Sequence, residues 1–336
     1  MSKPYTIAVL GAGDMGGHHV KGWQSLGHQV RSVTDVDQAR ARELADKYGV
    51  QQMHTDIDTA LADESIDIVS ICLPLNFHVS TTIKAAQAGK HVFCEKPLAP
   101  SIAEAESMER AVATAGVRFG LGMQRNLAGG VWKLRDWAAE GRFGRPMVFN
   151  SDLLQEVRPK VAMHDRNGNN GPLTDAGCHY YLLWQTVFRS RPTSVYAQGR
   201  ILATGRPEVG MHRALALDTA VVTMAFESGD IATMTVSWGL AKGFAMRSRP
   251  DRIIGPAGGA EGDVQAELTL HTGSKTETVA IERHDLHALE FADFVEAIAS
   301  GRRPAASFTE GIELITITKA IEESIASGRP VTIGHR

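Results

Sequence analysis

The fold is decided by residues 6–16, which read TIAVLGAGDMG. The apolar run at 6–10 has the length and the β-branched content of a buried strand, and glycines at 11, 13 and 16 follow it directly. A strand that turns through closely spaced glycines into a helix is typical of a dinucleotide-binding loop, because glycine lets the backbone turn tightly and lets a phosphate approach the helix N-terminus. A simple tight turn is the alternative interpretation of the same glycines.

Outward from this stretch, the first third of the chain alternates short apolar runs with helical patterns, as a parallel sheet with crossover helices requires. The predicted strands are residues 6–10, 30–34, 68–73, 91–94 and 117–123, and the predicted helices are 15–26, 38–48, 77–88 and 102–115. Gly27, Gly49, Gly89 and Gly116 each follow a helix, where a left-handed C-cap favours glycine. We therefore predict an α/β fold that begins with a doubly wound parallel sheet, the Rossmann arrangement.

The pattern changes after residue 123. A helix at 130–140 is followed by longer strand patterns at 147–154, 194–202, 219–226 and 231–238, the last two joined as a hairpin through residues 227–230. Two helices, at 286–299 and 309–327, complete the pattern. The sequence predicts two domains, 1–123 and 124–336, the second an α+β domain with a mostly antiparallel sheet.

Composition argues against several classes of partner. Among 336 residues, Lys and Arg (35) are outnumbered by Asp and Glu (38), giving a net charge of -3, so no basic face for nucleic acid is expected. The longest apolar run falls short of the roughly 18 residues of a membrane span, and no leader pattern precedes residue 6. Three widely spaced cysteines fit free thiols in a reducing cytoplasm, and no cluster has metal-ligand spacing.

The cofactor is indicated by the loop and by the end of the second strand. Asp14 and Met15 lie between the glycines at the start of the helix, and Asp35 follows 19 residues after Gly16. A carboxylate there is placed to bind an adenosine ribose and would repel a 2′-phosphate. Because Val36 and Asp37 supply no arginine for a phosphate, NAD is favoured over NADP.

The ends of the next two strands face the same crevice of the predicted sheet. Leu73, Pro74, Asn76 and His78 follow the strand at 68–73 and are candidate cofactor contacts. Asn76 is equally suited to cap the helix at 77–88, and His78 is open between a structural and a cofactor role.

Glu95-Lys96-Pro97 ends the strand at 91–94. Proline takes the chain out of the sheet, so the Lys96 ammonium can project over the crevice and stabilise a developing alkoxide. An exposed Glu95–Lys96 pair without a catalytic role is the alternative.

Asp175 and His179 are the second catalytic candidates. If a helix begins at Leu173, the two side chains lie at i and i+4 on one face, and His179 can take a hydroxyl proton as hydride leaves. Such a pair is also common on helix surfaces. Further candidate substrate contacts are Gln124, Arg125, Arg158 and His164. The alternative is that the charges near Arg158 and His164 are solvated and that the Arg125 charge is paired between domains.

Taken together, these residues resemble the Gfo/Idh/MocA family of glucose–fructose oxidoreductase and inositol dehydrogenase. The resemblance rests on the loop at 11–16, on Asp35, on residues 74–78 and 95–97, on Asp175 with His179, and on residues 291–331. It implies an NAD-binding Rossmann domain followed by a substrate-binding domain whose large open-faced sheet forms a homodimer or homotetramer. It also implies Lys96, Asp175 and His179 as the catalytic lysine, aspartate and histidine.

The resemblance implies a dehydrogenase that oxidises a secondary hydroxyl of a sugar, sugar derivative or cyclitol, a small polyhydroxylated substrate, to a ketone. The alternatives are an NAD-retaining glycosidase or lyase that uses transient oxidation, and a non-catalytic sensor. One position departs from the family pattern: Leu182 stands where many members have an aspartate three residues after the histidine.

Overall fold

The computed structural model describes residues 4–157, 161–244, 246 and 248–335. The chain divides into two compact units, one formed by residues up to 124 together with 284–312, the other by 125–283 together with the residues from 313 onward. The sequence predicted a single boundary after residue 123 and did not anticipate the return of 284–312. Within the described ranges, no helix is long and apolar enough to cross a membrane.

The first unit is built on a parallel sheet of six strands within the described residues, in the order β3-β2-β1-β4-β5-β6. Its strands are β1 (Thr6–Leu10), β2 (Gln29–Thr34), β3 (Gln52–His54), β4 (Ile68–Ile71), β5 (His91–Glu95) and β6 (Phe119–Gly122). All neighbouring pairs run parallel. The strand order reverses beside β1, which places the ends of β1 and β4 at the crevice where doubly wound folds bind ligands. The predicted fold of this region is confirmed.

Five of the six helices described in the first unit begin and end within one residue of the predicted bounds. The six are α1 (Asp14–Ser25), α2 (Gln38–Tyr48), α3 (Ile57–Ala62), α4 (His78–Gln87), α5 (Ile102–Ala115) and α10 (Leu286–Ser300). The four predicted cap glycines are all left-handed, with φ between 67° and 79°. The short elements β3 and α3 were missed because three and six residues show too little periodicity.

Helix α10 belongs to the core of the first unit although it lies far along the sequence. Its Phe291 stacks on Trp23 of α1 with ring centroids 4.1 Å apart and meets Phe93 of β5 edge-on at 4.9 Å. Gly22 of α1 is required for this approach, because a Cβ there would lie 2.7 Å from the Phe291 ring. Burial of these rings holds α10 in the first unit.

The second unit is built on a sheet of nine strands within the described residues, in the order β14-β13-β12-β11-β7-β10-β9-β8-β15. The strands are β7 (Val148–Glu156), β8 (Pro192–Arg200), β9 (Thr219–Phe226), β10 (Ile231–Leu240), β11 (Asp251–Gly255), β12 (Gly258–Asp263), β13 (Glu267–Thr272), β14 (Lys275–Ala280) and β15 (Val331–Thr332). Only β7 and β10 pair in parallel among them, so the predicted, mostly antiparallel sheet is confirmed.

The helices of the second unit are α6 (Gly129–Ala139), α7 (Val161–His164), α8 (Gly171–Asp175), α9 (Gly177–Phe188) and α11 (Phe308–Ser327), the last of which crosses the division between the units. The predicted hairpin joins β9 to β10 through a turn with left-handed Gly229. Strands β11 to β14 were not predicted, because segments such as Gly258–Asp263 and Lys275–Ala280 lack an apolar alternation.

Candidate dinucleotide site and catalytic residues

The glycine loop has the geometry that its sequence predicts. Gly11 has φ 104°, and a Cβ there would lie 2.5 Å from the Cys72 carbonyl oxygen, while a Cβ on Gly16 would lie 2.1 Å from the Gly11 carbonyl oxygen. By contrast, a Cβ on Gly13 would meet nothing within 4 Å. Gly13 is the N-cap of α1 and offers no side-chain cap, so the first backbone N–H groups of this helix face an open cradle. Such a cradle suits a pyrophosphate.

Asp35 is fixed beside this loop. One carboxylate oxygen accepts the backbone N–H of Ala12 at 2.9 Å, and the other accepts the N–H of Asp37 at 2.9 Å. Each oxygen retains a second lone pair for an outside donor. The carboxylate therefore ties the end of β2 to the glycine loop and remains able to bind a ribose hydroxyl.

One cation near Asp35 was missed by the sequence reasoning. Arg40 lies in the first turn of α2, where its Nε donates to Asp37 Oδ2 at 2.9 Å. Asp35 also stabilises the charge of this guanidinium. A search for an arginine in the first turn of the following helix, rather than directly after Asp35, would have found it.

The segment after β4 differs from its prediction in one respect. Leu75–Phe77 form a 3₁₀ turn, and α4 begins at His78 with no side-chain cap. The suggested capping role of Asn76 is therefore wrong, because the 3₁₀ turn shifts the helix start by one residue and Asn76 lies exposed within the turn. Leu73 is half-buried and Pro74 is exposed.

His78 is a brace between two strand ends. Its side chain is buried, with Nδ1 2.8 Å from the Pro97 carbonyl oxygen and Nε2 2.8 Å from the Leu73 carbonyl oxygen. Burial lowers the pKa of His78, although both carbonyls act against this shift. A protonated ring nitrogen can donate to the carbonyl that it faces, so the ring links the end of β4 to the turn after Lys96.

Glu95 is buried, so the alternative of an exposed Glu95–Lys96 pair is wrong. One oxygen of Glu95 accepts from His19 Nε2 at 3.0 Å, and the other accepts the backbone N–H of Lys96 at 3.2 Å. Burial acts to raise the pKa of Glu95, but the hydrogen bond from His19 is the main cause that outweighs it, and this pKa is lowered to about 2. The ionised carboxylate therefore fixes the backbone of the half-buried Lys96.

Two of the predicted substrate contacts fall at the division between the units. Gln124 ends the first unit, and its Oε1 is buried without a hydrogen bond among the described residues. Arg125 begins the second unit, where Nη2 donates to Asp251 Oδ2 at 3.2 Å and the guanidinium lies 4.5 Å from the centre of the Tyr180 ring. The charge of Arg125 is thus paired inside its own unit and not between domains.

Asp175 and His179 do not share one continuous helix. Helix α8 ends at Asp175, Ala176 has φ −112°, and α9 begins at Gly177. At the break, the Tyr181 hydroxyl donates to the Leu173 carbonyl at 3.1 Å, the acceptor that a continuous helix would offer to the Gly177 N–H.

The expected i,i+4 face is therefore corrected to a helix break. The His179 N–H donates to the Ala176 carbonyl at 3.2 Å. Asp175 is buried and accepts from Asn169 Nδ2 at 3.2 Å, whereas His179 is half-buried. Asn169 is a partner that no sequence motif indicated.

The remaining candidates are placed as follows. His164 ends α7 and is buried, with its ring edge-on to Trp238 at 6.2 Å between centroids. Arg158 lies outside the described residues. Leu182, in the position of the usual aspartate, packs into the buried side of α9. A polar contact from this position is therefore absent, and Leu182 adds to the core instead.

The fold and the loop geometry define a class: a Rossmann-type oxidoreductase with a second, sheet-based unit. Residues 5–123 match the family model of the Gfo/Idh/MocA oxidoreductases, described as an oxidoreductase family with an NAD-binding Rossmann fold. Residues 131–261 match the Gfo/Idh/MocA C-terminal domain. The two matches cover more than half of the chain, and the chain belongs to the Gfo/Idh/MocA family, as predicted.

Similar proteins span the same length. Myo-inositol 2-dehydrogenase of Thermotoga maritima is 27% identical over 97% of this chain and 98% of its own. D-xylose 1-dehydrogenase (NADP(+)) 2 of Haloferax volcanii is 26% identical over 92% of this chain and 94% of its own. A solved structure of levoglucosan dehydrogenase in complex with NADH has a TM-score of 0.86 at 22% identity and covers 99% of this chain and all of that chain.

The prediction of an NAD(P)-dependent oxidoreductase that acts on CH–OH groups is confirmed by the family and by these dehydrogenases. The relatives include an NADP-dependent enzyme, so the choice between the two cofactors depends on residues of this chain.

Proposed function

We propose that this protein is an NAD-dependent dehydrogenase that oxidises a secondary hydroxyl of a sugar, sugar derivative or cyclitol to a ketone, with Lys96 and His179 acting on the reacting hydroxyl. The observation that carries the proposal is the pairing of an open glycine cradle with a fixed carboxylate, in which Asp35 accepts the Ala12 N–H at 2.9 Å. The inositol and sugar dehydrogenases among the relatives support the substrate class.

The residues of the first unit fit a bound dinucleotide. The uncapped N-terminus of α1 and Gly13 would hold the pyrophosphate, and Asp35 would bind the ribose. Met15 and Asp14 line the start of the same helix, and the exposed Pro74 and Asn76 lie after β4 for the nicotinamide side. When bound, NAD supplies the hydride acceptor.

Lys96 would lower the pKa of the substrate hydroxyl and stabilise negative charge on its oxygen. Its backbone is held by the Glu95 carboxylate at 3.2 Å, and the Pro97 carbonyl that follows is held by His78 at 2.8 Å. Both contacts limit the positions that the ammonium can reach, which favours a fixed orientation towards the hydroxyl.

His179 would take the hydroxyl proton as the C–H hydrogen leaves as hydride, so that one alcohol gives one ketone, one hydride and one proton. Asp175, held by Asn169, would orient the substrate or the imidazole. Gln124, Arg158 and His164 remain proposed substrate contacts. The pairing of Arg125 with Asp251 supports a structural role for this arginine instead.

The test measures NADH formation by the purified protein with a panel of sugars, sugar acids and cyclitols. The amount of NAD that stays bound to the protein is measured in parallel. We expect turnover with one substrate class, and we expect Lys96→Met and His179→Gln to reduce kcat by roughly 100-fold or more while NAD still binds. Lys84→Met removes an exposed lysine that is paired with Asp58 and serves as the matched control. Full activity in both variants would contradict the proposal; permanently bound NAD without net NADH formation would favour the lyase alternative.

NAD preference is tested at Asp35. Asp35→Ser removes the charge that repels a 2′-phosphate, and Arg40 then becomes the nearest cation on α2. We expect the ratio of kcat/KM for NADP to that for NAD to rise by roughly ten-fold or more. Asp37→Ser, which frees Arg40 but keeps Asp35, is the control. An unchanged ratio in Asp35→Ser would contradict the assignment of this residue.

We also propose that the second unit forms a homodimer or homotetramer through its sheet, in a cytoplasmic protein. The support is an exposed sheet face on which Tyr196, Val221 and Ile231 stay 43%, 53% and 38% exposed, although their strands are paired in register. Val221→Glu should shift the mass measured by light scattering towards the monomer, whereas Leu202→Glu, in the turn beyond β8, should not. An unchanged mass for Val221→Glu would rule out this face.

A further inference from the structure

Four ligand-type side chains converge inside the first unit. They come from three elements that are far apart in sequence: His19 on α1, Glu95 on β5, and His287 with Glu290 on α10. One nitrogen or oxygen atom from each side chain lies within 4.8 Å of all the others. His19 is fully buried, and Glu95 and Glu290 are 4% and 5% exposed. We call this group the His₂Glu₂ cluster.

The spacing of the His₂Glu₂ cluster approaches that of a four-coordinate ion. His19 Nε2 lies 3.0 Å from Glu95 Oε1, and His287 Nδ1 lies 3.1 Å from Glu290 Oε1. A tetrahedral zinc ion with bonds of about 2.0–2.1 Å separates its ligand atoms by about 3.4 Å. These two ligand–ligand distances would have to lengthen by a few tenths of an ångström, and the longer ones, which reach at most 4.8 Å, would have to shorten by up to about 1.4 Å, to complete the coordination.

Glu290 carries the second observation. Its Oε2 is buried and makes no hydrogen bond within the described part of the chain. Burial raises the pKa of the Glu290 carboxyl well above its usual value, and the nearby Glu95 charge adds to this shift, while the backbone amide of Met123 acts against it. A buried acceptor without a donor destabilises a fold. A cation held between the two carboxylates would satisfy this oxygen and balance the two negative charges, since both imidazoles are neutral ligands.

The surroundings of His19 are those of a metal-ligating histidine. Its other ring nitrogen, Nδ1, lies 2.8 Å from Ser70 Oγ, which also accepts the Trp23 Nε1–H at 2.9 Å. This contact fixes the ring so that Nε2 faces the cluster, as outer hydrogen bonds do around metal ions. Phe93 and Phe291 cover the ring edge-on, with centroids 5.9 and 4.9 Å away, and exclude water.

We propose that His19, Glu95, His287 and Glu290 bind one divalent ion of the zinc class. Two imidazoles favour zinc, cobalt or nickel over magnesium or calcium, which prefer oxygen ligands. Because the protein supplies all four ligands, the ion leaves no position for substrate and is structural. It clamps α10 onto α1 and β5, and this role does not depend on the proposed hydride transfer.

The test measures metal in untagged protein that is purified, stripped with a chelator, incubated with zinc and then dialysed. We expect about one zinc per chain by mass spectrometry and a rise of several degrees in the unfolding temperature on adding zinc to the stripped protein. Cobalt should give the visible absorption of a tetrahedral site. Absence of retained zinc together with an unchanged unfolding temperature would overturn the proposal and leave a hydrogen-bonded network.

Two variants locate the ion. Glu290→Gln keeps the shape of the side chain and an amide for His287, yet removes a charged ligand, and His287→Gln removes an imidazole. Each should lower retained zinc by at least roughly ten-fold. His271→Gln removes an exposed histidine that lies 3.7 Å from Glu261 in the second unit and should keep the metal. Equal zinc in all three variants would place the ion elsewhere and overturn the assignment; circular dichroism of the stripped variants confirms that they fold.

Discussion

The two units hold their candidate residues in different ways. In the first, Asp35 and Glu95 lie at the ends of parallel strands and His78 lies at the start of α4, and each is fixed by a hydrogen bond to backbone at the same edge of the sheet. In the second, Asp175 and His179 lie at a break between two helices, where a tyrosine hydroxyl donates to a backbone carbonyl. Side chains at the edge of the sheet are therefore positioned by short sequence motifs. The helix break instead involves Leu173 and Tyr181, which are eight residues apart.

The largest effect is expected at Arg125, which the sequence assigned to substrate and the structure pairs with Asp251. Arg125→Met leaves the Asp251 carboxylate, whose side chain is 7% exposed, without its cation. We expect a loss of about 4 kcal/mol in the free energy of unfolding, as for other broken buried ion pairs. Urea unfolding followed by fluorescence measures it.

Arg252→Met, on the exposed neighbour in β11, is the control and should change stability by less than about 0.5 kcal/mol. If the Arg125→Met protein kept its stability but had a raised substrate KM, Arg125 would be a substrate contact, and the contrast between the two units would not hold.

The next effect is expected in the glycine loop. Gly16→Ala places a Cβ 2.1 Å from the Gly11 carbonyl oxygen, a backbone atom that cannot move without the loop. We expect a loss of about 3 kcal/mol in the free energy of unfolding. Gly13→Ala is the matched control, because a Cβ there meets nothing within 4 Å. The thermal midpoints of the two variants should therefore differ clearly; equal midpoints would mean that the loop is not rigid.

A smaller effect is expected at His78. His78→Leu leaves the buried carbonyls of Leu73 and Pro97 without their donor, at about 2 kcal/mol. His78→Gln can keep one of the two contacts and should lose about half as much. If His78→Leu abolished NAD binding, measured by fluorescence titration, without lowering the unfolding midpoint, the ring would be a cofactor contact and not a brace.

The smallest effect, counted per residue, is a pH dependence that separates the units. The histidines whose pKa burial lowers, His18, His19, His28, His78, His91 and His287, all belong to the first unit. In the unfolded chain these groups titrate near pH 6.5, so below that pH the unfolded state binds more protons. Stability is fully present above about pH 6.5 and falls as the pH decreases, by about 1 kcal/mol per pH unit for a buried ring such as His19.

Thermal unfolding at pH 7.5, 6.5 and 5.5 tests this expectation, with His19→Gln flattening the profile. The Glu95 carboxylate acts at lower pH, since its stabilisation is present above about pH 4.5 and is lost as the pH falls towards 2. An unfolding midpoint that stays constant from pH 7.5 to 5.5 would show that the buried rings are not neutral.

Much of the first unit was predictable because its signals are local. About 30 residues contain the strand 6–10, the glycine loop and Asp35, and these residue types by themselves indicate the turn, the helix start and the ribose-binding carboxylate. The buried state of Glu95 was not predictable, since its partner His19 lies 76 residues away. Sequence spacing likewise gave no sign of the His₂Glu₂ cluster, because its members come from three separate elements.

The second unit was predicted less well for a physical reason. Strands β9 and β10 alternate buried and exposed residues and join through a glycine turn, so their pattern is visible. Strand β14 has five exposed residues and one half-buried residue and is held by backbone pairing with β13. Because backbone pairing needs no apolar side chains, the sequence of β14 shows no apolar alternation. The break before Gly177 involves the Tyr181 side chain, which helical periodicity does not encode.

The late helix α10 has a consequence for how the protein is made. During translation, β1 to β6 leave the ribosome long before Phe291 is synthesised, and residues 125–283 must emerge in between. The aromatic surface around Trp23 and Phe93 therefore stays uncovered throughout this interval, as a target for chaperones. Attempts to express the cofactor-binding half alone should join residues 284–312 to residues 4–124 through a linker.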